Sequence, residues 1–200
     1  MKHTIDTSAQ AGGPATIREW KTFYISEFRT EEAWLSFMHQ QGWMLRSIDG
    51  IGFQYTFAAC DPEDWIYQLD FKEDGVVEED YIQMYADYGW ELVLRFRHWF
   101  YFRKKKTGDD TADDLSIFSD NASRIEMCRQ VIRHHARLIG MILGSFLMIS
   151  GLMCLLMPSS SFARGMCLGS IIGSCFGAMF IGNQFKRLNH MIRQMDSPIH

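Results

Sequence analysis

Two uncharged runs in the C-terminal half constrain this chain more than anything else in it. The first, from Leu138 to Met157, reads LIGMILGSFLMISGLMCLLM. It spans 20 residues, and at about 1.5 Å per residue a helix of that length is roughly 30 Å long, the thickness of a bilayer core. The second, from Gly165 to Gly182, reads GMCLGSIIGSCFGAMFIG and ends at the polar pair Asn183 and Gln184. Between them Pro158 cannot easily continue a helix, and three serines make a short turn. A soluble helical hairpin would need cover on every side, and a chain of 200 residues has nothing left to supply it. The expectation is a two-helix transmembrane hairpin over residues 138–185.

Basic residues set its direction. Arg124, Arg129, Arg133 and Arg137 precede the first span, Lys186, Arg187 and Arg193 follow the second, and the turn holds only Arg164. The excess of Lys and Arg marks the cytoplasmic side. The reading is therefore a multi-pass protein of the cytoplasmic membrane, with both termini inside and residues 158–164 outside. The mean hydropathy of −0.14 hides this, because it averages the runs with a polar remainder.

That remainder divides into residues 1–18, read as a mobile polar tail, an α+β domain over 19–106, an acidic link and juxtamembrane helix over 107–137, and a cytoplasmic tail over 186–200. Residues 1–18 show neither an apolar core segment nor a small-residue cleavage site, so no signal peptide is expected there. Hydrophobic residues make up 47% of the chain, which excludes disorder. A net charge of −4 argues against a nucleic-acid partner. The cysteines, at 60, 128, 154, 167 and 175, form no CxxC pair and are odd in number, so they are expected as free, buried thiols.

Within residues 19–106 a pattern recurs. EEAWLSFMHQQGWMLRS from Glu31 returns 47 residues later as EEDYIQMYADYGWELVLRF from Glu78. Trp34, Phe37 and Met38 correspond to Tyr81, Met84 and Tyr85, an i, i+3, i+4 stripe that predicts the apolar face of a helix. Paired glutamates open each helix, where its dipole favours negative charge. Gly42 and Gly89 close them at a left-handed position, with Trp43 and Trp90 folding back over the last turn. Strand-like runs surround each helix: KTFYISEF and WIYQLDF before, MLRSI with GFQYTF and ELVLRF with HWFYFRK after. The unit reads β-α-β-β, twice, and predicts a largely antiparallel sheet with two helices on one face.

The doubled helix–Gly-Trp–strand pattern, the FYFRK ending and the LSIFSDNASRI link resemble the bacterial family of unknown function numbered DUF 2812, over about residues 20–125. That resemblance implies a cytoplasmic domain tied to membrane helices, often encoded beside PadR-type transcriptional regulators. It supplies no catalytic residues to carry over.

No catalytic or metal-binding set emerges from the residues. His134 and His135 are adjacent, so on a helix they point in different directions, and no HExxH spacing exists. The carboxylates Asp61, Glu63, Asp64, Asp70, Glu73 and Asp74 bracket a strand, the usual place for solvated turn residues. No Gly-rich phosphate loop, GxSxG elbow or Cys/His pairing occurs. Neither a cofactor nor an enzyme is expected. Arg103, Lys104, Lys105 and Lys106 end the final strand, as a solvated terminus or as a contact for anionic lipid headgroups. Ser123 and Glu126 fit a capping box for the juxtamembrane helix.

In the second span Gly165, Gly169, Gly173 and Gly177 recur every four residues, and the first adds Gly140 and Gly144. Small residues at that spacing let helix backbones approach closely. They are expected to pack the two spans together or to join copies of the chain as a homo-oligomer. The function expected is a non-enzymatic regulatory or signalling accessory that binds a cytoplasmic regulatory protein or small ligand, anchored in the lipid bilayer. The alternative makes the hairpin active, oligomerising to alter permeability under the domain's control, although uncharged spans lack an ion pathway's usual lining.

Overall fold

The computed structural model describes residues 14–50, 54–76, 79–108, 110, 116–117, 121–157 and 161–196. The chain divides into two compact units, Met1–Met127 and Cys128–His200.

The first unit is α+β, and its order is β1 (Thr16–Trp20), α1 (Phe28–Gln40), β2 (Trp43–Ile48), β3 (Gln54–Ala59), β4 (Trp65–Phe71), α2 (Glu79–Asp87), β5 (Glu91–Phe96) and β6 (Trp99–Lys105). The strands form two antiparallel sheets rather than one six-stranded sheet, ordered β1-β3-β2 and β4-β6-β5. In each, the third strand of a β-α-β-β half lies in the middle. The halves agree in detail. Gly42 and Gly89 have φ of 83° and 81°, donating to His39 and Ala86 carbonyls that are themselves 47 residues apart. Each second strand bulges at the same place in the repeat, between Leu45 and Ser47 and between Leu92 and Leu94, 47 residues apart.

Leu45, Tyr55 and Phe57 share the buried face of the first sheet, whereas the second is buried on both sides, with Tyr67, Leu69, Phe71 and Tyr101 on one face and Phe100 and Phe102 on the other. Trp34 edges onto Tyr55 and Phe57, while Trp90 packs with Phe100, Phe102 and Ile117, flanked by Tyr81 and Tyr85 of α2. Phe37 and Met84, expected on the apolar faces, stand exposed. The buried face of α1 runs instead through Phe28, Glu31, Leu35 and Met38.

The first strand is TIREW, not KTFYISEF. Ile17 is the buried residue that pairs it with Phe57, and a Tyr24–Glu27 turn occupies the predicted strand. Thr16–Ile17–Arg18, assigned to the tail, is therefore strand; residues 1–13 of that tail lie outside the described residues.

The second unit contains most of α3 (Asn121–Leu156) and all of α4 (Ser161–Asp196), each 36 residues long. Both are long and apolar enough to cross a membrane. At about 1.5 Å per residue each is roughly 54 Å long, well beyond a bilayer core. The segment expected as a C-terminal tail is thus helical as far as Asp196. Ser123 lies inside α3, which begins two residues before it, so Ser123 and Glu126 do not flank its start as a capping box would. Phe146, Met148, Leu155, Phe176 and Met179 are among the many large apolar side chains left exposed on this unit.

Candidate functional site

Helix α1 carries the chemistry of the first unit. Glu31 is buried, and its Oε1 accepts hydrogen bonds from the Tyr55 hydroxyl at 2.8 Å and the Tyr101 hydroxyl at 2.7 Å. One carboxylate thereby ties α1 to both sheets, because Tyr55 lies on β3 and Tyr101 on β6. Burial pushes the Glu31 carboxyl above its usual range, against the opposing pull of the two phenols, and raises both phenols in turn.

One position further on, Glu32 Oε1 accepts the Leu69 backbone N–H at 2.8 Å, and Ser36 Oγ accepts that of Tyr67 at 3.0 Å. Residues four apart share a helix face, so the pair lies along the side of β4 turned away from β6 and satisfies donors that a sheet edge leaves open. Burial raises the Glu32 carboxyl to about 7, although the Leu69 N–H and the charges of Arg124 and Arg29 hold it down.

At the end of the same helix, His39 Nδ1 lies 2.9 Å from the Tyr67 hydroxyl, and its ring stacks on Trp65 at 5.4 Å. The Arg103 guanidinium sits 4.6 Å from the Trp65 ring centre and pairs with Glu91 at 2.8 Å. Burial, helped by the Arg103 charge, lowers the His39 imidazole to about 4, so it is neutral at physiological pH. A third network joins Tyr81 to the buried Asp70 by a short hydrogen bond; Asp70 also pairs with Lys72 at 3.2 Å.

Each carboxylate or imidazole already has a phenol, amide or cation on it, and such satisfied networks rigidify a fold. Among the described residues no three His, Cys, Asp or Glu side chains converge as metal ligands.

The residues singled out in sequence fall into three places. Gly42 and Gly89 occupy the left-handed helix ends; Trp90 is buried over α2, while Trp43 is half-buried. Of the strand-end cations, Arg103 pairs with Glu91, Lys105 with Glu63 at 2.6 Å and Lys106 with Asp64 at 3.6 Å. Much of the charge foreseen for lipid headgroups is thus matched on the domain itself, by exposed pairs that are individually weak.

The glycines of α3 and α4 stand open. At Gly140, Gly144, Gly165, Gly169, Gly173 and Gly177 an added Cβ would meet nothing within 4 Å among the described residues. They therefore do not draw the two helices of one chain into backbone contact. Among the described residues, Ser150 joins α3 to α4: it meets Ser170 Oγ at 3.0 Å, and its carbonyl accepts the Cys167 thiol at 3.1 Å. Beside them, Gly169 and Gly173 line a groove of about 340 Å³ with Ile142, Phe146 and Met166.

The acidic link holds a residue that charge patterning concealed. Ile117 is buried against Trp90, Phe100 and Phe102, its N–H donates to Gln68 Oε1 at 2.6 Å, and its neighbour Ser116 accepts Arg124 Nη2 at 2.8 Å. Ile125 and Met127, in the first turns of α3, are buried as well. The apolar cluster LSIF, Leu115 to Phe118, in an Asp-rich segment was the available signal.

The family described as protein of unknown function (DUF2812) matches residues 27–140. The chain belongs to this family. The DUF2812 match takes in α1 through β6, the link and the first half of α3, so it covers the docked isoleucine and the start of the apolar run. No curated protein and no solved structure matches the chain.

Proposed function

We propose that this DUF2812 protein is a membrane-anchored, non-enzymatic regulatory or signalling accessory, with its first unit in the cytoplasm and its hairpin across the membrane. The observation that carries this reading is α3. Its first turn is tied to the link by the Arg124–Ser116 hydrogen bond, its Ile125 and Met127 are buried, and it continues without a break into a long, exposed apolar stretch. A continuous helix is a stiff connection, so a change at one end is felt at the other. Arginines at 124, 129, 133 and 137 support a cytoplasmic start for the first span. We read the two β-α-β-β halves as copies of one module, a scaffold for binding a protein or small ligand; the satisfied side-chain networks favour binding over catalysis.

Affinity capture of the full chain from gently solubilised membranes tests the reading. A stoichiometric cytoplasmic partner, lost when residues 19–106 are deleted, is expected. Failure to recover one, together with ion leak from vesicles holding the purified chain, favours the permeability reading instead.

One observation supports self-association as part of this function. The open faces at Gly165, Gly169, Gly173 and Gly177 leave room for the backbone of a second copy. Gly173→Ile is expected to reduce dimer crosslinking in bilayers by several-fold while the monomer stays folded.

A further inference from the structure

The two cysteines nearest the hairpin turn, 13 residues apart in the chain, face each other across it. Cys154 lies in the last turn of α3 and Cys167 in the second turn of α4. Cys154 lies four residues after Ser150 on the same face of α3, the face that Cys167 meets, so the two side chains are neighbours across the hairpin. Cys167 donates to the Ser150 carbonyl one turn before Cys154, which fixes its sulfur on the α3 side. Both are half-buried, unlike the buried Cys128 and the exposed Cys175.

Their depth matters as much as their proximity. Cys154 is three residues from Met157, and Cys167 is three residues from Arg164, the only charge in the turn. At about 1.5 Å per residue both sulfurs sit roughly 5 Å inside the polar boundary, where water-borne reagents reach.

We propose that Cys154 and Cys167 are a redox-responsive thiol pair that closes to a disulfide across the outer end of the hairpin. The oxidant is a soluble disulfide outside the membrane. One thiol loses its proton, attacks that disulfide and releases one thiolate, giving a mixed disulfide. The second thiolate displaces the other half, so the pair loses two protons and two electrons and the external disulfide leaves as two thiols. The bond staples α3 to α4 beside Ser150 and Ser170. The inference rests on the hairpin crossing the membrane with its turn outside, as proposed above, and it adds a signal to that anchor.

The test uses the full chain in right-side-out and inverted membrane vesicles, with oxidised glutathione as the impermeant disulfide. After reagent removal and denaturation, a mass-tagged maleimide counts the free thiols. Exposure of right-side-out vesicles is expected to leave two fewer reactive thiols in a monomer. Cys154→Ser and Cys167→Ser each reduce the loss from two thiols to at most one, held as a glutathione adduct that adds the mass of one glutathione, and Cys128→Ser and Cys175→Ser preserve the two-thiol loss without an adduct. No loss in either orientation, or a two-thiol loss that survives Cys154→Ser, overturns the thiol pair. Loss in inverted vesicles alone overturns the outward-facing hairpin on which the proposal stands while leaving the pair intact.

Discussion

Glu31 and Glu32 show what a single residue does here beyond its type. In sequence both are helix-start acids; in the fold one joins two sheets through phenols and the other closes a strand edge. Tyr101→Phe leaves the buried Glu31 with one donor fewer, and a loss of about 1–3 kcal/mol is expected in thermal unfolding. Their titration gives a signed pH dependence. Glu32 is raised from 4.5 to about 7, so its stabilising proton is fully bound below the unfolded value and lost as pH climbs through 7. His39 is lowered from 6.5 to about 4, so its contribution is present above 6.5 and lost as pH falls towards 4. The two oppose each other between those values. Glu32→Gln removes one of them, and stability should then fall more steeply on acidification from pH 6.5 to 4 than in the parent; parallel profiles would refute the assignment. Gly42 and Gly89 were legible in sequence as left-handed helix ends, but not their inequality. A Cβ on Gly42 stands 3.1 Å from the Cys60 carbonyl oxygen, against 3.6 Å from the flexible Lys104 side chain for Gly89. Gly89→Ala should cost about 1 kcal/mol and Gly42→Ala about 2–3 kcal/mol, measured by denaturation of the same chain.

Among the elements, β4 and β5 were readable to the residue because WIYQLDF and ELVLRF carry clear period-two or continuous apolar patterns between turns. β1 was misplaced by several residues. Aromatic KTFYISEF has the stronger strand composition, yet TIREW has the residue, Ile17, that pairs inward against Phe57. The stripes of α1 and α2 were right in period and in four of their six residues, Trp34, Met38, Tyr81 and Tyr85, while Phe37 and Met84 stand exposed, since a spacing of three or four leaves the centre of the buried arc open. The division into two sheets was not legible at all: pairing partners are chosen by register between distant strands, which local pattern does not encode. The link's attachment was equally hidden. Ile117→Ala is expected to cost about 2–4 kcal/mol, as for other buried isoleucines, and to loosen residues 116–127 in hydrogen exchange while β6 stays protected.

For the whole molecule, the candidate chemistry was less legible than the two long apolar helices. Uncharged runs declare themselves by length, whereas the hydrogen-bonded networks of Glu31, His39 and Asp70 join residues up to 70 positions apart. Both sides of that contrast follow from distance along the chain. The central claim is that α3 and α4 cross a membrane with the folded first unit inside. Its most direct measurement places single cysteines at Ser160, Ser8 and Ser197 in a chain whose native cysteines are replaced, and labels intact cells with an impermeant maleimide. The account predicts that Ser160→Cys reacts in intact cells, while Ser8→Cys and Ser197→Cys react only after permeabilisation. Protection at 160 with labelling of either terminus in intact cells would contradict it.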